Sequence, residues 1–449
     1  MPALTFGLSS YERALGGLAD LPVENMYAEE SDTEGVALVS RPGLSDRSAD
    51  MGSSAVEALF KRDGVVSGNL LGVAGGRLYD GTTDEGAIAG SGAVSIAGNE
   101  TGVMIAAGGS LYGYTGTGTL AAIAFPDSAN VIKVIEGVSR FIAIRADSGR
   151  SYFTPPLGRT FGALDFATAE SESDQLLDAL FIDDQIVFFG AETVEFWPSA
   201  SDANTPFVPL QGRVYERGIK ATGCATAIGS SFAWVTDQNT VCIQDENNIV
   251  SNQGLEARIA ASTNVRAFNF FIDGAEFLCI RLDNETQAYN LRTGTWSKLS
   301  SVGQSNWIPQ CHAAGVFGSS IDGKTLEFGS DFQDLAGPMT RLFRAGMQID
   351  GGASAINRLT LRSNPGNTPF LAGNYTNPEV EMRYSRDQGN TWNIWRSVGL
   401  GVQGIYNQRM DWRALGMAHT PGFLAEFRVT DPVDFRVSGV HVNEAYGGR

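Results

Sequence analysis

Val73-Ala74-Gly75-Gly76-Arg77-Leu78-Tyr79 returns as Ala106-Ala107-Gly108-Gly109-Ser110-Leu111-Tyr112, with the two tyrosines 33 residues apart. An apolar run, a Gly-Gly step and a second short apolar run form a β-hairpin, because glycine supplies the positive φ that a tight turn needs. Weaker echoes follow at Ser151-Tyr152-Phe153, Val194-Glu195-Phe196-Trp197, Thr240-Val241-Cys242, Gln287-Ala288-Tyr289 and Leu326-Glu327-Phe328. Their steps are roughly 40 to 47 residues, the period of a propeller blade. Each echo follows an apolar strand and a turn, as in Phe141-Ile142-Ala143-Ile144 before Asp147-Ser148-Gly149. The pattern therefore reads as the middle hairpin of a four-stranded blade, repeated over residues 51–335, which accommodates six or seven blades.

Working outward, residues 1–50 lie before the repeat and carry the alternating Gly35-Val36-Ala37-Leu38-Val39 and the turn Arg41-Pro42-Gly43-Leu44. They are expected to form a strand segment packing with the C-terminal domain. Beyond Gly337-Pro338 the pattern changes to period-two bursts, Leu359-Thr360-Leu361-Arg362, Val380-Glu381-Met382-Arg383-Tyr384 and Phe427-Arg428-Val429, which mark half-buried strands. The expected architecture is all-β: a propeller over 51–335 and a β-sandwich over 336–449, joined by the N-terminal segment. Helix candidates are confined to Ser9–Ala19 and Ser173–Ala179, and both read equally well as loops.

Composition supports this class. Among 449 residues, charged side chains make up only 18% while 54 positions are glycine, a balance suited to short strands and tight turns. The net charge is −18, which excludes a general nucleic-acid binder, because phosphate contacts need cations. The charge is unevenly placed: residues 341–449 hold 12 basic and 9 acidic side chains, against 20 and 41 in residues 1–340. Cys224, Cys242, Cys279 and Cys311 are too sparse for a disulfide framework and read as buried thiols of a reducing compartment. Neither a secretory leader nor an apolar run of about 18 residues is present, so a soluble cytoplasmic product without membrane insertion is expected.

The motifs that suggest chemistry are few. Gly318-Ser319-Ser320-Ile321-Asp322-Gly323-Lys324-Thr325 fits the phosphate-loop pattern, yet the run after it is a short strand and Asp322-Gly323 is a hairpin turn. A phosphate loop must open a helix. Ser385-Arg386-Asp387-Gln388-Gly389-Asn390-Thr391-Trp392 resembles the Asp-box of sialidases and related propellers. Ser385, Asp387, Gly389, Thr391 and Trp392 are expected to build a structural hairpin, with Asp and Ser holding turn amides and the Trp packing on it. His312, His419 and His441 lack metal-ligand spacing, and the acid pairs Asp183-Asp184 and Glu29-Glu30 point apart on strands or turns. No catalytic residue, cofactor or metal site is assigned. Trp392, Trp395, Arg396, Tyr406, Arg409, Trp412 and Arg413 suit a core with an intersubunit rim, since Trp and Arg favour protein interfaces.

Several stretches resemble one family, the packaged-DNA stabilisation or tail-hub (nozzle) proteins of short-tailed bacteriophages. They are Leu21-Pro22-Val23-Glu24-Asn25-Met26-Tyr27 with Arg41-Pro42-Gly43-Leu44, Gly75–Tyr79 through Ala89–Ser95, and Thr205–Gly212 with Glu216-Arg217-Gly218 and Phe232-Ala233-Trp234. Ala288–Trp296, with Asn290 where an aspartate is usual, and the C-terminal run Arg386–Trp392, Arg396–Gly399 and Phe427–Pro432 add to them. The resemblance implies a structural virion protein, assembled in the host cytoplasm into a homo-hexameric ring below the portal and head-to-tail adaptor. It further implies retention of packaged DNA, double-stranded DNA passing through the lumen without tight binding, and contacts with tail fibres or spikes and a needle or plug. Loops Thr154–Ser173 and Ser199–Arg217 are the expected constriction. The competing reading is a propeller-type tail protein that binds or cleaves host glycan, motivated by the Asp-box.

Overall fold

The computed structural model describes residues 4–11, 20–31, 35–89, 92–169, 174–202, 205–349, 351–366 and 377–443. Among them, seven four-stranded antiparallel meanders follow one another. Their first strands are Val56–Phe60, Ser95–Asn99, Val131–Gly137, Leu176–Ile182, Ala225–Ile228, Arg266–Ile272 and Pro309–Ala313. Each first strand touches the next and the seventh touches the first, so the sheets close into a ring around an axis. The two alternatives for blade number resolve to seven, and every echo of the Gly-Gly hairpin falls on or just before the third strand of a blade.

The blades are held by their apolar faces. Between the fourth, fifth and sixth lie Phe189, Phe196, Phe232, Trp234 and Ile280, all essentially without solvent contact. Between the sixth and seventh lie Phe270, Phe277, Trp307, Phe317 and Leu326. Burying one such large side chain contributes about 1.5–3 kcal/mol, and the full burial of both faces explains why the second strands, such as Val103-Met104-Ile105-Ala106-Ala107, are continuous apolar runs.

Blade seven has an outside contributor. Pro309–Ala313, Val316–Ser319 and Thr325–Phe328 are continued by Leu44–Asp46, with Leu326 opposite Asp46 and Phe328 opposite Leu44. The expected boundary at residue 50 thus cuts differently from the chain path: Leu44–Asp46 is propeller, while the residues just before it are sandwich. Gly43 sits at the passage. Any side chain there would collide with the backbone of Gln333, and the Gly43 amide donates to the Asp331 carbonyl at 2.8 Å.

In the sandwich, Val23–Glu24, Arg341–Gln348, Gly422–Val429, Glu379–Ser385 and Arg396–Gly399 form one sheet, with Thr5–Phe6 pairing to Arg341–Gln348. The other sheet is Met26–Ser31, Gly35–Ser40, Arg436–Val442, Ala353–Ser363 and Met410–His419. Phe343, Ile356, Leu359, Met382, Trp412, Phe427 and Val440 fill the space between them. Glu24 also pairs in parallel with Lys298, so the first sheet runs on without a break into blade six.

One local expectation needs correction, and another lies largely outside the described residues. Leu176–Ile182 is a strand, neither helix nor loop: Leu176, Asp178, Ala179 and Ile182 are buried against neighbouring blades and impose the extended form on a sequence with mixed propensity. The other candidate, Ser9–Ala19, falls largely outside the described residues, as do Gly90 and Ser91 of the early blade motif. The α-helix that does occur among the described residues, Gln253–Ala261, links blades five and six and is capped by Asn252, whose side chain accepts from the Leu255 amide at 2.9 Å. No helix among the described residues is long and apolar enough to cross a membrane.

Candidate functional site

The Asp-box residues come together in the connection between Glu379–Ser385 and Arg396–Gly399, which are antiparallel partners. The Ser385 hydroxyl donates to Asp387 Oδ1 at 2.6 Å and accepts from the Gly389 amide at 2.8 Å. Asp387 Oδ1 also accepts from the Thr391 amide at 2.8 Å, and Oδ2 accepts from the Thr391 hydroxyl at 2.6 Å. Gly389 has φ +94°, a region that favours glycine. These hydrogen bonds, from Ser385 first and then Thr391, hold the Asp387 carboxyl down at about 2. Both carboxylate oxygens are spent inside the turn, which leaves no group poised to give or take a proton near neutral pH.

What the box positions is Trp392. Its ring lies under the guanidinium groups of Arg344 and Arg383, at 5.0 and 4.7 Å, and Arg383 also stacks on Trp395 at 4.7 Å, followed by Arg428 at 4.3 Å. The arginines stand on neighbouring strands and are pinned from below. Glu426, 1% exposed, takes Arg344 at 2.6 Å and Arg383 at 2.5 Å, while Glu381 takes Arg428 at 2.6 Å. Of the aromatic and basic residues expected to act together, Trp392 and Trp395 enter this stack. Trp412 instead points into the sandwich core, its indole nitrogen donating to the Arg396 carbonyl at 2.9 Å, and Tyr406 is 72% exposed. The sequence pointed to Trp392 and Trp395 but not to Arg344, Arg383 and Arg428, whose pairing depends on strand register between distant segments.

The remaining motifs separate. Gly318–Thr325 is the hairpin between Val316–Ser319 and Thr325–Phe328, and Lys324 pairs with Asp46 at 2.8 Å instead of facing a helix terminus. Asp183 and Asp184 occupy a tight turn with φ 50° and 59°. Glu29 pairs with Arg436 at 3.1 Å, while its strand neighbour Glu30 is exposed. Among the described residues no group of three or more His, Cys, Asp or Glu side chains is placed to hold a metal ion. Cys224, Cys242 and Cys279 are buried free thiols and Cys311 is half-buried.

His312 belongs to the first strand of blade seven and packs on Phe317, ring centroids 4.9 Å apart. Burial lowers its pKa from 6.5 to about 4. Between those values the unfolded chain binds the proton and the folded chain does not, so stability falls as pH drops through this window. The expected loss is about 3 kcal/mol at about 1.4 kcal/mol per pKa unit, and His312→Gln should lose less stability than the parent by about that amount between pH 6.5 and 4. Equal slopes in denaturant titrations of the two proteins would refute this assignment.

Two surfaces remain. Residues 154–165 and 199–213 join the third and fourth strands of blades three and four, and are longer than the same connection in the other consecutive blades. In a meander these connections leave on one face, so the two loops lie side by side. Arg159 anchors the first to the Thr101 carbonyl at 2.7 Å, and Phe207 anchors the second on Phe181. Leu164, 87% exposed, stands at the tip with Leu157, Val208 and Leu210 also outside. Residues 170–173 and 203–204 of the expected loop spans lie outside the described residues. The second surface is the axial cavity of about 520 Å³, walled by the first strands of the blades. Sequence reading missed it because its lining is gathered from all seven blades, from Glu57 to His312.

Comparison with known proteins is consistent in both domains. Residues 6–310 match the family described as bacteriophage P22 Gp10, beta-propeller, and residues 340–445 match bacteriophage P22 Gp10, beta-sandwich. The tail hub protein gp10 of Salmonella phage P22 is 28% identical over 183 residues, 37% of this chain and 39% of that protein's length. The chain therefore aligns with well under half of that relative. Among solved structures, YCF48 from Cyanidioschyzon merolae is 13% identical with a TM-score of 0.42, covering 64% of this chain and 98% of its own. Sqt1 of Saccharomyces cerevisiae is 10% identical with a TM-score of 0.39, covering 64% and 98%.

Proposed function

The chain belongs to the bacteriophage P22 Gp10 family in both its propeller and its sandwich, and from that membership we infer that it is the structural hub of a short phage tail. In this reading it has no catalytic role. Copies assemble as a hexameric ring below the portal and adaptor, hold packaged DNA in the head, and form the channel for its ejection. The observation that carries the proposal is the paired family match over nearly the whole chain.

Charge and geometry support it. Duplex DNA carries one negative charge per about 1.7 Å of axis, so a conduit must not offer it cations. Residues 1–340 hold 41 acidic against 20 basic side chains, while residues 341–449 are net basic, which suits the sandwich to docking on an acidic partner ring. Retention is then steric, and the loops 154–165 and 199–213 are the elements long enough to narrow the lumen. Sugar cleavage finds no support in the Asp-box, whose carboxylate is consumed by its own turn.

Native mass spectrometry of the full chain, alone and with the portal–adaptor assembly, tests the proposal. Six copies, either in solution or on the adaptor, are expected. A monomer indifferent to the adaptor would overturn it, as would release of sugar from host capsule or lipopolysaccharide that is lost on changing a single carboxylate. Shortening loop 199–213 to a two-residue turn should leave assembly intact while lowering the yield of DNA-filled heads at least tenfold.

A further inference from the structure

We propose that the axial cavity of the propeller is a binding site for a small anion carrying a phosphate or carboxylate group, anchored by Arg266. The cavity, about 520 Å³, falls in the range of small-molecule sites. It is an internal space of one chain, so the proposal stands or falls independently of the tail-hub reading.

Three cationic groups decide what the cavity would accept. Lys133 lines it, but its ammonium is taken by Asp178 at 2.8 Å, and Asp178 is further held by the amides of Ala179 and Gly223. Arg62, at one end, is taken by Glu136 at 2.7 Å. Arg266 is different. Its guanidinium makes one long hydrogen bond, 3.4 Å to the Glu57 carbonyl oxygen, and forms no ion pair among the described residues.

Behind Arg266 stands a second uncompensated cation. Arg281 donates to the carbonyls of Trp307 and Pro309 and to the Ser320 hydroxyl, all neutral acceptors. Burial, and after it the charge of Arg266, holds Arg281 below the ordinary guanidinium range. Two guanidinium groups that feel each other, with no carboxylate in ion-pair contact, are a charge arrangement that an anion relieves. The Glu57 side chain, pushed upward by burial and pulled back by the charge of Arg266, forms an ion pair with neither guanidinium among the described residues. A ligand meeting Arg266 with its anionic group would therefore gain from a hydroxyl or amine turned to Glu57, and its body would meet Ile96, Ile135, Leu180 and Phe268.

The test uses the full chain. Inorganic phosphate and citrate, titrated separately by calorimetry, should each bind with a dissociation constant of about 1 mM or tighter, with the better of the two identifying the anionic group. In Arg266→Gln the affinity should fall at least tenfold. Comparison at equal anion concentration removes the general stabilisation that excluded salts give any protein. The unliganded variant supplies a second reading: with the repulsion on Arg281 gone, Arg266→Gln should melt at the same temperature as the parent or higher. A parent that binds neither anion would overturn the proposal, and a variant that then also melts lower would leave Arg266 as a structural partner of Glu57. Equal anion affinity in parent and variant would overturn it too.

Discussion

Replacing Arg41 by alanine is expected to destabilise the chain by about 3–5 kcal/mol, the cost of stranding one partner of a buried ion pair. The guanidinium meets both oxygens of Asp334, at 2.9 and 2.6 Å, and each side chain is 1% exposed. Its remaining donors are used as well: Nε to Asn25 Oδ1 at 2.9 Å, Nη2 to the Ser300 carbonyl at 2.8 Å, and Nη1 to the Pro42 carbonyl at 2.9 Å. Asp334 in turn accepts from the Leu44 amide at 3.1 Å, and Asn25 accepts from the Ser300 amide and donates to the Thr340 carbonyl. One side chain therefore ties the sandwich strand before it, the closing strand after it, blade six at Ser300 and the segment leading to the sandwich at Thr340. Alanine leaves Asp334 charged and dry. The double variant Arg41→Ala, Asp334→Ala should be less damaged than the two losses added together, because neither charge is then stranded. The Arg41 guanidinium lies 5.7 Å from the centre of the Trp307 ring, so Trp307 emission in a denaturant titration, with the other six tryptophans replaced by phenylalanine, reports the change at the right place. A loss below about 1 kcal/mol would show that the pair does not hold this junction.

Arg41-Pro42-Gly43-Leu44 was visible in the sequence as a turn, yet its role as a junction was not, and the difference is instructive. Features encoded within a few residues were legible. Gly75-Gly76 and Gly108-Gly109 announce hairpins by local backbone demands, and Ser385 through Trp392 announces its own turn because every partner lies within the motif. Features that depend on distant partners were not. The number of blades stayed open because the last strand of the seventh, Leu44–Asp46, is separated in sequence from Thr325–Phe328 by the whole propeller. The helix Gln253–Ala261 escaped notice because only Gly254, Leu255 and Ile259 are buried, too few to write a periodic stripe. Leu176–Ile182 was misread because its strand form is set by the flanking blades. Arg266 carries no motif, and the space it lines exists only after the ring has closed.

Deleting residues 1–46 is expected to abolish folding of both domains, an effect larger than any single substitution would give. In the propeller, loss of Leu44–Asp46 leaves Thr325–Phe328 as an unpaired edge and uncovers Leu326 and Phe317, which are now fully buried. Such an apolar edge pairs with other chains. In the sandwich the same deletion removes Met26–Ser31 and Gly35–Ser40, two of the five strands of one sheet, and opens the core at Met26, Ala28 and Leu38. It also removes Val23–Glu24, the strand through which blade six and the sandwich share one sheet. Residues 47–449 produced alone should therefore be recovered as aggregate. Supplying residues 1–50 as a separate chain during refolding should restore soluble protein, since what the deletion removes is pairing that a peptide in trans can offer. Soluble residues 47–449 melting cooperatively near the parent temperature would contradict this. Leu44→Asp gives a finer reading of the same closure: Leu44 is 1% exposed between Phe328 and the Asp334 carboxylate, so a buried charge there should open blade seven while Phe343 and Phe427 in the sandwich stay packed. Hydrogen exchange that rises across 309–328 but not across 422–429 would separate a propeller held shut by its N-terminal strand from one that merely borrows it.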